Sequence, residues 1–125
     1  MILYEADITS AGKYTADSWE EGYLITFIDS GPKDFRDYCL SLNILKGSAE
    51  EIKKGNLVYF DDKAFEITAV GSKALENLNE LGHVTVKFSG SKESENPGDI
   101  TVSKSEKNLD VNNLKKFIIC DDFYK

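Results

Sequence analysis

The sequence predicts an all-β protein: a small, mostly antiparallel β-barrel carrying one or two short helices. Three observations point there. Segments rich in branched and aromatic residues recur at short intervals, with turn chemistry between them. Residues 57–70 hold two such segments separated by Asp61-Asp62-Lys63, the pattern of a hairpin. Clear helical periodicity occurs in one place, before the only histidine. No internal repeat and no linker interrupts the 125 residues, so residues 1–125 read as one domain, too short for two ordinary ones.

The elements follow in order. Ile2, Tyr4, Ala6 and Ile8 alternate with Leu3, Glu5, Asp7 and Thr9, which opens the chain with a strand. Ser10–Gly22 is polar and carries the single tryptophan, Trp19, whose usual burial predicts a plug or lid on the barrel. Tyr23–Ile28 is a strong strand, and Asp29-Ser30-Gly31-Pro32 a turn. Phe35–Leu45 reads two ways. Phe35, Tyr38, Leu42 and Leu45 suit a helix, whereas Leu40, Leu42 and Ile44 suit a strand.

A charged connection, 46–55, leads to the hairpin strands Leu57–Phe60 and Phe65–Val70. Ala74, Leu75, Leu78 and Leu81 then share one helical face, predicting a helix over Lys73–Leu81. Ser72 is a candidate cap and Gly82 a candidate terminator. From His83 the period becomes two: Val84, Val86 and Phe88 alternate with Thr85 and Lys87. Val84, Val86, Phe88, Ile25, Phe27, Phe65 and Ile67 are the expected core. After the polar loop Ser89–Gly98 come a brief strand, Ile100–Val102, a polar stretch, Ser103–Asn113, and a last strand, Lys116–Cys120.

Composition excludes several classes of function. Hydrophobic residues make up 41% and charged residues 30%, as in ordinary soluble domains. Twenty-two acids against fifteen bases give a charge of −7, which argues against nucleic-acid binding, where basic clusters must displace counterions. No apolar run approaches the ~18 residues of a membrane span. The N-terminus has no basic segment followed by an apolar core, so no secretory signal is read. With Cys39 and Cys120 this predicts a cytoplasmic protein with free thiols. One histidine and no Cys-x-x-Cys pair offer no metal set, and neither a Walker lysine loop nor Gly-x-Gly-x-x-Gly is present, so no cofactor is expected. No Gly-x-Ser-x-Gly elbow marks a serine hydrolase. Gly71-Ser72 opens the predicted helix, and helix N-termini attract anions, a signal with no lysine loop beside it.

His83 is the first candidate for chemistry. The alternation sets it on the Thr85/Lys87 side, off the apolar face. Two roles fit: a structural imidazole bonding backbone at a helix–strand corner, and a reactive one.

The segment Ala69-Val70-Gly71-Ser72, then Asn77-Leu78, then Glu80-Leu81-Gly82-His83-Val84-Thr85 with Phe88 and Gly90, resembles the glucitol/sorbitol-specific enzyme IIA component of the sugar phosphotransferase system. Leu24-Ile25-Thr26-Phe27 with Pro32, Asp34 and Tyr38-Cys39, then Leu45-Lys46-Gly47 and Pro97-Gly98, extend the similarity over about residues 23–102. The resemblance implies a small β-barrel-like fold. It also implies a phosphocarrier: a histidine receives a phosphoryl group from a small phosphocarrier protein and passes it to a cysteine on the IIB part of the sugar permease (IIB/IIC). The family's acceptor histidine lies a few residues beyond the Tyr-Cys pair, where this chain reads Leu40-Ser41-Leu42-Asn43-Ile44-Leu45.

Three readings follow. His83 is the acceptor, with Thr85 and Lys87 holding phosphoryl oxygens. Cys39 is the acceptor, as a thiolate. Or the chain is a binding or regulatory module that kept the fold without the chemistry.

Overall fold

The computed structural model describes residues 1–48, 51–104 and 108–122. In chain order the elements are β1 (Ile2–Ala11), α1 (Thr15–Glu20), β2 (Tyr23–Ile28), α2 (Lys33–Arg36), β3 (Leu40–Lys46), β4 (Leu57–Phe60), β5 (Lys63–Val70), α3 (Ala74–Leu81), β6 (Val84–Lys87), β7 (Asp99–Val102), a 3-10 turn (Val111–Asn113) and β8 (Lys116–Cys120). The strands close into a barrel in the order β1-β3-β2-β6-β7-β5-β4-β8, and β8 returns to β1. The predicted hairpin is present: β4 and β5 pair antiparallel from Leu57↔Glu66 to Phe60↔Lys63, around a turn in which Asp61 takes a positive φ of 56°.

All neighbouring strands are antiparallel except two pairs, β2–β3 and β6–β7. A parallel pair cannot be joined by a tight turn, so the chain must run back outside the barrel before entering the second strand. Residues 29–39, which include α2, make the first such crossover, and residues 88–98 make the second. The ambiguous stretch Phe35–Leu45 is therefore divided. Its first part belongs to the crossover and its second part is β3.

The inward faces obey period two. Tyr4, Ala6 and Ile8 of β1, Phe65 and Ile67 of β5, Val84 and Val86 of β6, and Phe117 and Ile119 of β8 are all buried in one core, as is Phe88 just past β6. Aromatic rings fill the barrel in a chain of edge and tilted contacts. Phe60 lies 5.3 Å from Phe117, 5.9 Å from Phe88 and 6.3 Å from Phe65, and Tyr4 lies 5.9 Å from Phe117. Trp19 of α1 meets Phe88 edge-on at 4.8 Å and is partly buried against the core, a lid over the ring cluster.

Two expectations are corrected. Ile25 and Phe27 are not core residues. Leu24 and Thr26 face inward and are fully buried, while Ile25 and Phe27 face out and are half-buried. Tyr23–Ile28 is apolar on both faces, so its own pattern cannot choose. Pairing with β6, Leu24↔Val86 and Thr26↔Val84, makes the choice. Thr26 is tolerated inside because its hydroxyl donates to the Gly82 carbonyl at 2.8 Å. Ser72 is not the helix cap either. Lys73 occupies that position and no side chain caps α3. The polar stretch Ser10–Gly22 also contains a helix, α1, which its short apolar content did not announce.

The ring cluster sets a measurable expectation. Phe60→Ala removes the residue that touches three other rings. It should lower unfolding stability by about 3–5 kcal/mol in urea titration, with the fold retained by circular dichroism.

Candidate functional site

α3 ends where Gly82 enters the left-handed region at φ 57°. A side chain there would press on the backbone of Ile28, its Cβ 3.1 Å from the amide nitrogen. The Gly82 N–H donates to the Leu78 carbonyl at 3.0 Å and the His83 N–H to the Asn77 carbonyl at 3.2 Å, which close the last turn. The next residue is therefore delivered to the outer surface of β2 at a fixed angle.

That residue is His83. Its Nδ1 lies 3.0 Å from the Thr26 carbonyl oxygen. A carbonyl only accepts, so Nδ1 carries the proton and Nε2 of the neutral ring is left with its lone pair. The Phe27 ring sits 5.0 Å away at 49°. Thr26 thus grips the corner twice, by its hydroxyl inside the barrel and by its carbonyl outside.

The first crossover builds the other wall. Phe35 of α2 packs on Phe27 at 5.6 Å. Arg36 donates through a guanidinium nitrogen to the Asp29 carbonyl at 3.0 Å. The segment is pinned to the end of β1 by Gly12 N–H to Cys39 O, 2.9 Å, and Tyr14 N–H to Asp37 O, 2.8 Å. The Tyr14 and Tyr38 rings stack at 5.1 Å. Between this wall and β2 lies a pocket of about 450 Å³, lined by His83, Ile25 and Phe27 on one side and by Asp34, Phe35, Tyr38 and Cys39 on the other. Phe35 and Tyr38 remain half exposed at its rim.

The structure brings His83 and Cys39 to one pocket and leaves Thr85 and Lys87 outside it. Lys87 shares the outward face of β6 but stands beside the second crossover. Its ammonium is held by Asp99 at 3.1 Å and Glu95 at 3.2 Å. Those carboxylates, Asp99 first, raise its pKa. Lys87 is an ion-pair residue here rather than a donor to the His83 pocket. Cys39 and Cys120 are both free and buried. Burial pushes the Cys39 thiol from 9.0 up to about 11, so the thiolate is scarce near neutrality. Among the described residues no group of three or more His, Cys, Asp and Glu side chains is placed to hold a metal ion. None of the helices described is long and apolar enough to cross a membrane.

Sequence reasoning missed Phe27, Ile25 and Phe35 as pocket residues. Their alternation marked them as apolar, and only strand pairing and the crossover show that the apolar face in question is outside. Asp34 and the Tyr38-Cys39 pair were visible as matches to the family, without a location.

Two outcomes follow from this geometry. Thr26→Val leaves the buried Gly82 carbonyl without its donor and should cost about 1–3 kcal/mol of stability, whereas Thr26→Ser should recover most of it. For Cys39, the folded pKa is the higher one. Between pH 9.0 and about 11 the unfolded chain has lost the thiol proton while the folded chain keeps it. Stability from this group is present below 9.0 and falls as pH rises through that window. Cys39→Ala should flatten that fall in denaturation midpoints measured across it. Alkylation of native Cys39 at pH 8 should be slow and should accelerate on unfolding.

Residues 3–116 match the family model described as the glucitol/sorbitol-specific IIA component of the phosphotransferase system. The glucitol/sorbitol-specific EIIA components of Shigella flexneri and of Escherichia coli strain K12 are each 36% identical over 104 residues, covering 82% of this chain and 82% of the relative. A crystal structure of a phosphotransferase-system IIA component from Enterococcus faecalis V583 superposes with a TM-score of 0.74, covering 90% of this chain and 96% of that one at 18% identity, which speaks for the fold. A barrel of this topology, with identity of that extent along its length, places the chain in the glucitol/sorbitol-specific IIA component family of the phosphotransferase system.

Proposed function

We propose that this chain is a cytoplasmic phosphocarrier of the glucitol/sorbitol IIA type, with His83 as its phosphoryl acceptor. It takes the group from a small phosphocarrier protein and passes it to the IIB part of a sugar permease. The observation that carries the reading is the bond from His83 Nδ1 to the Thr26 carbonyl. That bond is what a structural imidazole at the corner would make, and it is also what a nucleophile needs. It fixes the ring and leaves the Nε2 lone pair free. In the transfer, Nε2 attacks phosphorus as the bond from phosphorus to the donor atom breaks. The proton stays on Nδ1, donated to the Thr26 carbonyl, and the resulting phosphoramidate remains reactive enough to pass the group on.

Transfer of this kind depends on positioning and on charge stabilisation. The pocket supplies the first through Phe27 and the Phe35 wall. It supplies little of the second, since Lys87 is engaged and Asp34 lines the wall. A phosphoryl group adds about −1.5 to −2 of charge. The compensating cations then come from the docked partner, toward which a chain of charge −7 is electrostatically matched.

A second reading has its own support. β3, where the resemblance locates the acceptor, carries no histidine, and Leu40, Ser41 and Leu42 there are buried. On that reading the pocket binds a partner or ligand and no phosphate is carried. Cys39 is the weakest acceptor, because its thiol stays protonated.

One experiment separates the three. The protein is incubated with phosphoenolpyruvate, the general phosphotransfer enzymes and the small phosphocarrier protein, and its intact mass is read. Wild type should gain one phosphoryl group and His83→Gln none. A gain that persists in the variant moves the role to Cys39. No gain in either leaves the non-phosphorylated module.

A further inference from the structure

The second crossover makes a cavity of its own, on the far side of α3 from His83. It measures about 550 Å³ and opens between the connection into β4, the end of β5 and the start of α3. That is the size of a small-molecule site. Lys53, Lys54 and Lys92 line it from two separate connections, against one carboxylate among the described residues, Glu51. None of the three lysines forms an ion pair with any described residue, whereas Lys73 beside the cavity is paired with Glu76. Three lysines against one described carboxylate give the lining a positive excess in a chain of charge −7, which favours anions there. Ser72 and Ser94 add hydroxyls to the wall.

We infer that this cavity binds a small phosphate-bearing anion, with Lys53, Lys54 and Lys92 as its charge partners and Ser72 as a hydroxyl donor. Phosphate suits the site because ammonium groups engage it as point charges from several directions, without the fixed fork that a guanidinium needs. The cavity also adjoins a smaller depression that shares Ser72 and Ser94 and continues toward Glu95 and Asn96, which gives room for the hydroxyl-bearing remainder of an organic phosphate. The site lies at the opposite end of α3 from His83, about 12 Å along an eight-residue helix. It is separate from the acceptor pocket and does not depend on phosphotransfer.

The test is amide-resolved NMR titration of the whole chain with inorganic phosphate, glycerol 3-phosphate and, as the uncharged control, glycerol. Saturable shifts should cluster at 53–54, 68–72 and 92–94 with the phosphates and be absent with glycerol. Lys53→Gln with Lys54→Gln, and separately Lys92→Gln, should weaken binding about tenfold each while the melting temperature stays unchanged. Tighter binding of glycerol 3-phosphate identifies an organic phosphate as the ligand type, and equal binding identifies recognition of the phosphate group alone. Shifts that fail to saturate, that appear equally with glycerol, or that survive the lysine changes would overturn the assignment. Because the readout is local to the cavity, it is indifferent to whether His83 is phosphorylated.

Discussion

A closed barrel of eight strands has an interior just wide enough for side chains to fill, and filling it is the constraint on which the rest of this molecule depends. Here the filling is aromatic. Phe60, Phe65, Phe88 and Phe117 meet near the centre, with Tyr4 on one flank and Trp19 over another. Once those rings occupy the interior, the inward face of each strand is fixed. With a period of two, so is the outward face. Thr85 and Lys87 are outside because Val84 and Val86 are inside. Ile25 and Phe27 are outside because their neighbours pair with those same valines.

The two parallel pairs turn this closed shell into something with sites. An antiparallel barrel joined by hairpins has little on its outer wall. Each parallel neighbour forces a length of chain back across the surface, and each crossover covers outward side chains that would otherwise be bare. Over β2 the covering segment brings Asp34, Phe35, Tyr38 and Cys39 opposite His83. Beside β7 the other segment brings Glu95 to Lys87, next to Asp99 of β7, and brings Lys92 to the cavity that Lys53 and Lys54 share. The apolar pocket and the lysine-lined cavity are thus products of the same topological feature, used twice.

At the His83 corner, the contacts of a structural role are compatible with the reactive role proposed for it. A left-handed glycine, a buried threonine hydroxyl and a backbone carbonyl together place the ring. Each of these contacts also stabilises the fold. The bond that anchors Nδ1 selects the tautomer, so rigidity at one nitrogen is availability at the other. Cys39 shares the pocket but is governed by burial alone, which holds its proton in place. Proximity to a pocket is therefore a poor guide to whether a thiol is available as a thiolate. Its dielectric surroundings decide that.

Local pattern determined a good deal. Alternation in β5, β6 and β1 from Tyr4 onward, the hairpin around Asp61-Asp62-Lys63 and the helix closed by Gly82 are statements about neighbours in sequence, and they stand in the structure, while a register shift between Ile2 and Tyr4 puts Leu3 rather than Ile2 in the main core. The ELGHVT block carried the family, since those residue types at that spacing suit one helix–turn–strand corner. Tertiary structure decided what local pattern leaves equal. Tyr23–Ile28 is apolar on both faces, so only pairing with β6 could tell which side met the core. Phe35–Leu45 had two periods because it is part crossover and part strand, a division imposed by parallel pairing with β2. Lys87, read along its strand as a companion to His83, is taken by carboxylates that lie at least eight residues away in sequence. Where one face is clearly apolar, alternation tells which face a side chain leaves by. What it meets there depends on which distant segment the barrel's closure lays beside it.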